Sequence, residues 1–425
     1  MLLFALFACP EPEPDVCSDT GTGTHDLVLD LPAETWATVP AVEVYDADGA
    51  FVTRVESDTT VELPAGLYTL AALRGTVEGA PVGRAYGLLN DTVQRACIVD
   101  GEVQEWAASW ELQPSSGKLW ALSGEAAHGF DVDALATGGD VEPVLTINVD
   151  LSNDLRGFAV DAMGNLWVAT SPTYGARLEV YPPGGADGSA DPLTLGGDVF
   201  ADAVQIAALA FDAKNQLWVL VRHTSSDTRG VWGFSAEQTL AFLAEGTVPG
   251  APAAVFEVDG MVAPESMIVG PDDRLWIADF ASEYVFALAA GQSASGGAAT
   301  LTPEVAFTAG WDDETGTHTL NGPTGLGFDA AGRLWVNYWT NPALARFDVA
   351  DTGESLRAPD QFAGGNVLDL PAGLATDRDG RVWYGNDPQD GAGEIIALES
   401  EGGTEVARAR SATALTPTTL VFDPR

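Results

Sequence analysis

Oxygen-bearing side chains recur in this sequence at two fixed offsets from a repeated tryptophan. Glu265, Asn321 and Asp369 lie eleven to fourteen residues before a Trp, and Asp279 and Asn386 lie three residues after one. Carboxylate and amide oxygens are the hard ligands that Ca²⁺ prefers. These five side chains therefore predict a divalent-metal site where the two offsets meet. The alternative interpretation is that they are ordinary polar residues at the ends of loops.

A second set of side chains, eleven to fourteen residues before a Trp or three to five residues after one, favours ligand binding. It comprises Asn153, Asp154, Arg156, Gln205, Thr324, His223, Tyr338, Trp339 and Asp387. His223 follows Arg222, and we place it in a solvated loop. The chain has no Gly-x-Ser-x-Gly motif and only four His residues, so the sequence gives serine-based nucleophilic catalysis no support.

The tryptophans mark a repeat that must position these residues. Each follows an aliphatic residue, and the spacings are 47, 51, 58, 59 and 48 for Trp120, Trp167, Trp218, Trp276, Trp335 and Trp383. Such periods are typical of propeller blades. Six residues before the later five stand Asp161, Asp212, Gly270, Asp329 and Asp377. Three residues before them stand Gly164, Asn215, Asp273, Gly332 and Gly380.

Each unit predicts an apolar strand, an Asp-x-x-Gly turn and a Leu-Trp strand, with the Trp packed between neighbouring units. The first unit lacks its initial strand, because Pro114 stands where the turn Asp is expected. The segment from Thr418 to Asp423 has the pattern of that missing strand. The sequence therefore predicts an all-β fold with a six-bladed β-propeller closed by the carboxy-terminal strand, which hides the edge strands.

About 310 residues resemble the six-bladed propellers of the NHL-repeat, virginiamycin B lyase-like and gluconolactonase (regucalcin-like) superfamily. The resemblance rests on stretches such as "GFAVDAMGNLWVAT" and "GLGFDAAGRLWVNY". It implies a channel lined by the first strand of each blade, with the candidate residues at its mouth. The stretch Asn321-Gly322-Pro323 is similar to a gluconolactonase signature. This similarity implies a divalent ion at the channel mouth that polarises a lactone carbonyl.

The amino terminus predicts an export signal. Residues 2–8 form a short apolar run, and Leu6-Phe7-Ala8-Cys9 resembles the lipobox of bacterial lipoproteins. That resemblance implies a lipid on Cys9; an ordinary signal peptide or a buried Cys is the alternative. The Pro/Glu-rich and Gly/Thr-rich residues 10–24 predict an extended tether. We expect an exported lipoprotein of the bacterial cell envelope, outer-membrane or periplasm-facing, that contacts the membrane only through its lipid anchor.

Cysteine count predicts one disulfide. With Cys9 lipidated, Cys17 and Cys97 remain, and two thiols in an oxidising compartment favour a bond between them. The pairing follows from counting, so two unpaired thiols are the alternative.

The pattern of residues 25–113 predicts a small β-sandwich of short strands. Residues 114–425 are predicted to form the propeller. A hairpin turn is expected at Asp46-Ala47-Asp48-Gly49. The stretch from Val61 to Leu70 resembles the "LPAGxYxL" edge of transthyretin-like and PEGA-type sandwiches.

Charge restricts the partners. The formal charge is −43, from 19 basic and 62 acidic residues, so nucleic acid is repelled. We expect a monomer that acts as a binding or interaction scaffold for a protein or small-molecule ligand. The competing hypothesis is a Ca²⁺-dependent lactonase or related hydrolase with its site at the channel mouth.

Overall fold

The structure is a computed structural model and is all-β, as the sequence predicts. The residues that it describes are 22–31, 36–47, 50–73, 76–77, 86–88, 93–99, 103–112, 117–123, 126–148, 153–172, 176–182, 192–200, 204–212, 214–223, 229–246, 250–292, 294, 296–313, 316–329, 331–340, 342–349, 356–357, 361–364, 371–377, 381–386, 393–399, 405–411 and 419–423.

The amino-terminal part contributes ten of the strands in these ranges. They are β1 (Thr22–Asp30), β2 (Trp36–Thr38), β3 (Ala41–Tyr45), β4 (Phe51–Val55), β5 (Thr59–Pro64), β6 (Gly66–Leu73), β7 (Thr76–Val77), β8 (Tyr86–Leu88), β9 (Val93–Ile98) and β10 (Val103–Leu112). β3 and β4 have the bounds expected from the sequence, and Asp46 closes the hairpin between them by accepting a hydrogen bond from the Ala50 backbone N–H at 2.8 Å.

Two four-stranded sheets form this part, in the orders β5-β1-β10-β8 and β4-β3-β6-β9. Their facing side chains share one core, in which Leu27 and Trp106 of the first sheet meet Val44 and Leu70 of the second. The arrangement is sandwich-like. Leu27 and Leu29 of β1 alternate with more exposed residues and give the first sheet one apolar face, whereas β3 and β6 are buried on both faces.

The remaining described strands begin at Lys118. They are β11 (Lys118–Ser123), β12 (Ala126–Asp131), β13 (Gly139–Val141), β14 (Leu145–Asn148), β15 (Asn153–Val160), β16 (Leu166–Pro172), β17 (Arg177–Tyr181), β18 (Leu193–Leu195), β19 (Val204–Phe211), β20 (Leu217–His223), β21 (Arg229–Phe234), β22 (Ala254–Val258), β23 (Pro264–Val269), β24 (Leu275–Asp279), β25 (Val285–Ala287), β26 (Gly297–Leu301), β27 (Val305–Asp313), β28 (Gly316–Leu320), β29 (Pro323–Phe328), β30 (Leu334–Tyr338), β31 (Ala343–Phe347), β32 (Leu356–Arg357), β33 (Gln361–Gly364), β34 (Pro371–Thr376), β35 (Arg381–Asn386), β36 (Glu394–Glu399), β37 (Glu405–Ser411) and β38 (Thr419–Asp423).

Most of these strands belong to antiparallel sheets whose second strand carries a repeated Trp. The sheet orders are β38-β11-β12-β14, β15-β16-β17-β18, β19-β20-β21-β22-β26, β23-β24-β25-β27-β28, β29-β30-β31-β33 and β34-β35-β36-β37-β13. β38 pairs with β11 along its length, from Lys118 opposite Asp423 to Leu122 opposite Thr419. Residues from the two ends of this part of the chain therefore lie in one sheet.

The first strands of successive sheets pack side by side. β15 contacts β19, β19 contacts β23, β23 contacts β29, β29 contacts β34, β34 contacts β38, and β38 contacts β15. A hydrophobic core fills the space between each pair of neighbouring sheets, and one repeated Trp lies in each core. The Trp packing agrees with the sequence prediction.

A buried carboxylate ties each typical turn to its Trp. Asp161 is fully buried; its Oδ1 accepts hydrogen bonds from the backbone N–H of Met163 and Asn165, and its Oδ2 accepts one from Trp167 Nε1 at 2.9 Å. The same bond recurs in three other turns, where the Trp Nε1 donates to Oδ2 of Asp212, Asp329 or Asp377. The turn residue three before the Trp has a positive φ, 84° at Gly164 and 57° at Asn215, which explains the preference for Gly, Asn and Asp there.

In the described ranges two α-helices interrupt the strands, α1 (Val132–Thr137) and α2 (Ala236–Glu245), with a 3₁₀ turn at Gly197–Phe200. α2 begins with a capping box, in which Ser235 and Gln238 each bond the other's backbone N–H, and ends at Gly246 in the left-handed conformation. It packs on β6 and β9, so that Leu240 shares a small core with Tyr45 and Ala71. The two parts of the chain are therefore in contact through α2.

Candidate functional site

A cavity of about 760 Å³ lies between the first strands of the sheets. β15, β19, β23, β29, β34 and β38 all contribute to its lining, and each of these strands except β23 and β38 places Ala or Gly residues there. Because these residues are small, the packed strands leave open space along their common axis. The volume lies within the range of small-molecule binding sites.

A β-bulge near the start of five lining strands aims side chains at one end of this cavity. The register shifts fall between Leu155/Phe158, Ile206/Ala208, Pro264/Ser266, Pro323/Gly325 and Ala372/Leu374. A bulge leaves one residue unpaired and turns its side chain away from the ladder. Glu265 and Thr324 are such residues, and both line the cavity. The end of the cavity that they mark is called the mouth below.

An ion pair joins two neighbouring sheets at the mouth. Arg222 Nη1 at the end of β20 donates to Glu265 Oε1 at 2.5 Å, and the two side chains are 30% and 20% exposed. Charge-assisted contacts of this kind are short and strong where water is partly excluded. The lining carboxylate is therefore already neutralised by a guanidinium group.

Two aromatic residues line the cavity together with Glu265. Phe280 and Trp339 line the cavity, and Trp339 is 41% exposed. Their backbones are fixed, because Phe280 N donates to Ala263 O and Trp339 N donates to Gly322 O, both at 2.9 Å. Each residue is the fourth after its Trp, as Arg222 is after Trp218.

A buried amide links the next two sheets. Asn337 is fully buried; its Oδ1 accepts a hydrogen bond from Thr324 Oγ1 at 3.1 Å, and its Nδ2 donates to Gly373 O at 3.4 Å. Gly325 is required opposite it, because a Cβ there would lie 2.5 Å from Asn337 Oδ1. Asn337 holds the bulged strands β29 and β34 together at the mouth.

The opposite end of the cavity is mostly apolar. Its lining residues each stand one position before the turn, and they are Val160, Phe211, Val269, Phe328, Thr376 and Phe422. Within the part of the chain that the structure describes, Thr376 Oγ1 is buried and has no hydrogen-bond partner.

The structure assigns Asp279 to the ordering of a turn. This fully buried carboxylate accepts hydrogen bonds from the backbone N–H groups of Val262, Ala263, Ala281 and Ser282 at 2.5 to 3.2 Å. Its lone pairs are therefore engaged by the chain itself.

The other residues predicted three positions after a Trp are also buried. Tyr338 and Asn386 are at most 2% exposed, and burial raises the pKa of the Tyr338 hydroxyl. The reason is the alternation of side chains along a strand, which buries the third position after the Trp and brings the fourth to the mouth. Arg222 and Phe280 are not among the predicted site residues; each lies four residues after its Trp, one beyond the buried third position.

Two of the five predicted calcium ligands are engaged by protein groups. Glu265 is paired with Arg222, and Asp279 is saturated by backbone amides. Asn321 lies before β29, and its backbone carbonyl accepts a hydrogen bond from Thr340 N at 3.2 Å, which leaves its side chain as a predicted ligand. Among the described residues, no group of three His, Cys, Asp or Glu side chains is arranged to hold a metal. Asp369 lies outside the described residues.

The remaining candidates are placed only in part. Asn153, Asp154 and Arg156 lie in β15, and His223 ends strand β20 instead of lying in a loop; the structure does not describe these four side chains. Trp339 lines the cavity. Asp387, Cys9 and Cys17 lie outside the described residues. Cys97 in β9 is disulfide-bonded.

Comparison with known proteins yields matches among solved structures only. No protein-family model and no curated protein matches the chain. A Bacteroides caccae protein of unknown function is 12% identical, with a TM-score of 0.49, over 72% of this chain and 98% of that one. A catalytically inactive virginiamycin B lyase from Staphylococcus aureus with quinupristin is 12% identical, with a TM-score of 0.36, over 60% and 70%. A putative 6-phosphogluconolactonase from Bacteroides fragilis is 13% identical, with a TM-score of 0.43, over 69% and 82%.

These similarities concern the fold. In this chain the repeated sheets pack side by side around a central cavity, which is the arrangement of a β-propeller. The protein thus has a β-propeller-type fold. Within the described ranges, no helix has the length and apolar character needed to cross a membrane.

Proposed function

We propose that the protein is a binding scaffold, built as a six-bladed β-propeller closed by its carboxy-terminal strand, that takes its ligand or partner at the channel mouth. The observation that carries the proposal is the 760 Å³ cavity, with an ion pair and two aromatic rings at one end. A concave, mainly apolar site with few convergent polar groups is typical of ligand binding.

Ring closure is supported by the pairing of β38 with β11 and by the cores on both sides of that sheet. A chain that ends at Ala414 loses this strand, including the buried Leu420. Loss of one buried leucine alone costs about 2 to 5 kcal/mol. A chain that ends at Asp423 keeps the strand and is the matched control. Equal urea midpoints for the two truncated chains would contradict closure by this strand.

Binding at the mouth is tested by a thermal-shift screen of small molecules on wild type and Trp339→Ala. A ligand stabilises the folded protein by RT ln(1 + [L]/Kd), so binding at 100 times Kd adds about 2.7 kcal/mol. Ligands of the mouth should raise the melting temperature of wild type and lose this effect in the variant. If every stabilising compound acts equally on both proteins, the mouth is not the binding site.

The hydrolase alternative has no supporting observation, because the carboxylates that it needs at Glu265 and Asp279 are engaged by protein groups. It stays a prediction from sequence.

We also propose that a lipid on Cys9 anchors the scaffold in the bacterial cell envelope, with residues 10–24 as its tether. The lipobox-like sequence and the disulfide at Cys97, which fits an oxidising compartment, support the proposal. Mass spectrometry of the mature amino terminus tests it. Diacylated Cys9 as the first residue is expected, and a mature terminus elsewhere contradicts the anchor.

A further inference from the structure

The lining of the cavity carries no net charge in the part of the chain that the structure describes. Glu265 is the charged side chain of the lining, and Arg222 neutralises it. A charged ligand in the cavity would lose its hydration without gaining a free counter-ion. In addition, the protein's net charge of −43 repels anions from a distance. The charge of the described lining therefore favours a neutral ligand.

The shape and composition of the lining select a flat apolar ligand. Trp339 and Phe280 present ring surfaces at the mouth, and the opposite end is lined by Phe211, Phe328 and Phe422. Aromatic side chains favour offset or edge-to-face contacts with another ring. The lining strand runs from Thr324 at the mouth to Phe328, four residues, which at strand rise is about 13 Å. This distance is about the length of two or three fused or linked rings.

We propose that the cavity binds an uncharged, planar, largely apolar small molecule that enters at the mouth and stacks on Trp339 and Phe280. The proposal rests on the proposed function, since it names the class of ligand that the scaffold takes. The Glu265–Arg222 pair lies beside the entering ligand and keeps the mouth neutral. The ligand's rings lie against the Ala and Gly residues of the lining strands, which leave room for them.

The experiment compares two dyes that share one skeleton. N-phenyl-1-naphthylamine is neutral, and 8-anilinonaphthalene-1-sulfonate carries one sulfonate on the same phenyl-naphthylamine frame. Fluorescence titration of the full chain in 0.5 M NaCl suppresses the long-range field of the protein, because the Debye length at that salt is only a few ångströms. We expect one neutral dye per chain, bound at least tenfold more tightly than the anionic dye.

Two variants locate the bound dye. Trp339→Ala removes a half-exposed ring at the mouth and should weaken the neutral dye about tenfold, the effect of losing an aromatic contact and its buried area. Phe51→Ala removes an aromatic ring of the amino-terminal part, 57% exposed and remote from the lining, and should leave the affinity unchanged.

Three results would overturn the proposal: no binding of the neutral dye, equal affinity for the anionic dye, or equal losses in the two variants. Equal affinity would show that Arg222 is available to anions. If the dyes fail but compounds in the thermal-shift screen stabilise wild type and not Trp339→Ala, the ligand class is wrong; if both experiments fail, the proposed binding at the mouth is wrong.

Discussion

The substitution Asp161→Asn tests whether buried carboxylates hold the repeated turns to the tryptophans. The variant keeps an acceptor at Oδ1 but places an amide where Oδ2 accepts from Trp167 Nε1 and from Asn165 Nδ2, at 2.9 and 2.8 Å. Trp167 Nε1 and Asn165 Nδ2 both donate hydrogen bonds, and in the variant both would face the NH₂ group of the new amide in a fully buried site. Hydrogen bonds to a charged group contribute about 1.5 to 3 kcal/mol each, so the loss should be about 3 to 6 kcal/mol.

The chain supplies its own control at the turn that lacks the usual Asp. There Asp272 approaches Trp276 Nε1 only at 3.5 Å, and its side chain is 34% exposed. Asp272→Asn should therefore change the stability by less than about 1 kcal/mol. Urea unfolding followed by tryptophan fluorescence measures both variants, and hydrogen exchange at the Met163 amide reports the turn itself. If Asp161→Asn costs no more than Asp272→Asn, the carboxylate is not what holds the turn.

Three further outcomes are expected. Burial lowers the pKa of His128 in the folded protein, so the unfolded chain binds a proton more readily. The free energy of unfolding should therefore fall as the pH drops below about 6.5, the pKa of an exposed His. His128→Gln should make the urea midpoint less dependent on pH in that range. Thr376→Val removes a buried hydroxyl without a partner in the described structure and should raise the free energy of unfolding by about 1 kcal/mol, whereas a loss would mean that the hydroxyl is satisfied. Because Arg222 neutralises Glu265, Glu265→Gln should leave calcium binding in calorimetry at high ionic strength unchanged, and a large drop would restore the metal site.

The repeated units could be predicted because their signal is local. The Trp, the turn Asp six residues earlier and the Gly or Asn between them all lie within one hairpin, and each has one conformational role. What the spacing did not show is that the Asp also bonds the Trp. That bond needs the pair of strands to bring Trp167 Nε1 back over Asp161.

Helix α2 was missed although its signal is present. Ser235 and Gln238 form the Ser-x-x-Gln capping box, and Gly246 is a typical helix end. Short apolar runs on both sides of α2 indicate strands, and the spacing of Leu240 and Leu243 is a weaker helical signal beside them. Their burial against the amino-terminal part is a long-range contact, which no local pattern reveals.

The positions counted from each Trp include some residues that line the cavity and some that do not. The offsets led to Glu265, Thr324 and Trp339, all in the cavity lining. They also led to Asp279 and Tyr338, one residue short of the mouth, because the direction of a side chain changes with each residue of a strand. The Arg222–Glu265 pair joins different sheets, so only the folded structure reveals it.

Because β11 pairs with β38, one edge of β11 has no partner until the end of the chain has been synthesised. Roughly 300 residues separate the partners Lys118 and Asp423. At about 5 to 20 residues per second, a nascent chain carries β11 for about 15 to 60 s before β38 exists. During that interval the backbone donors and acceptors on one edge of β11 are open to pairing with any other strand. The hazard of aggregation during synthesis is thus concentrated at one strand, and a factor that covers β11 in the nascent chain would protect the whole molecule.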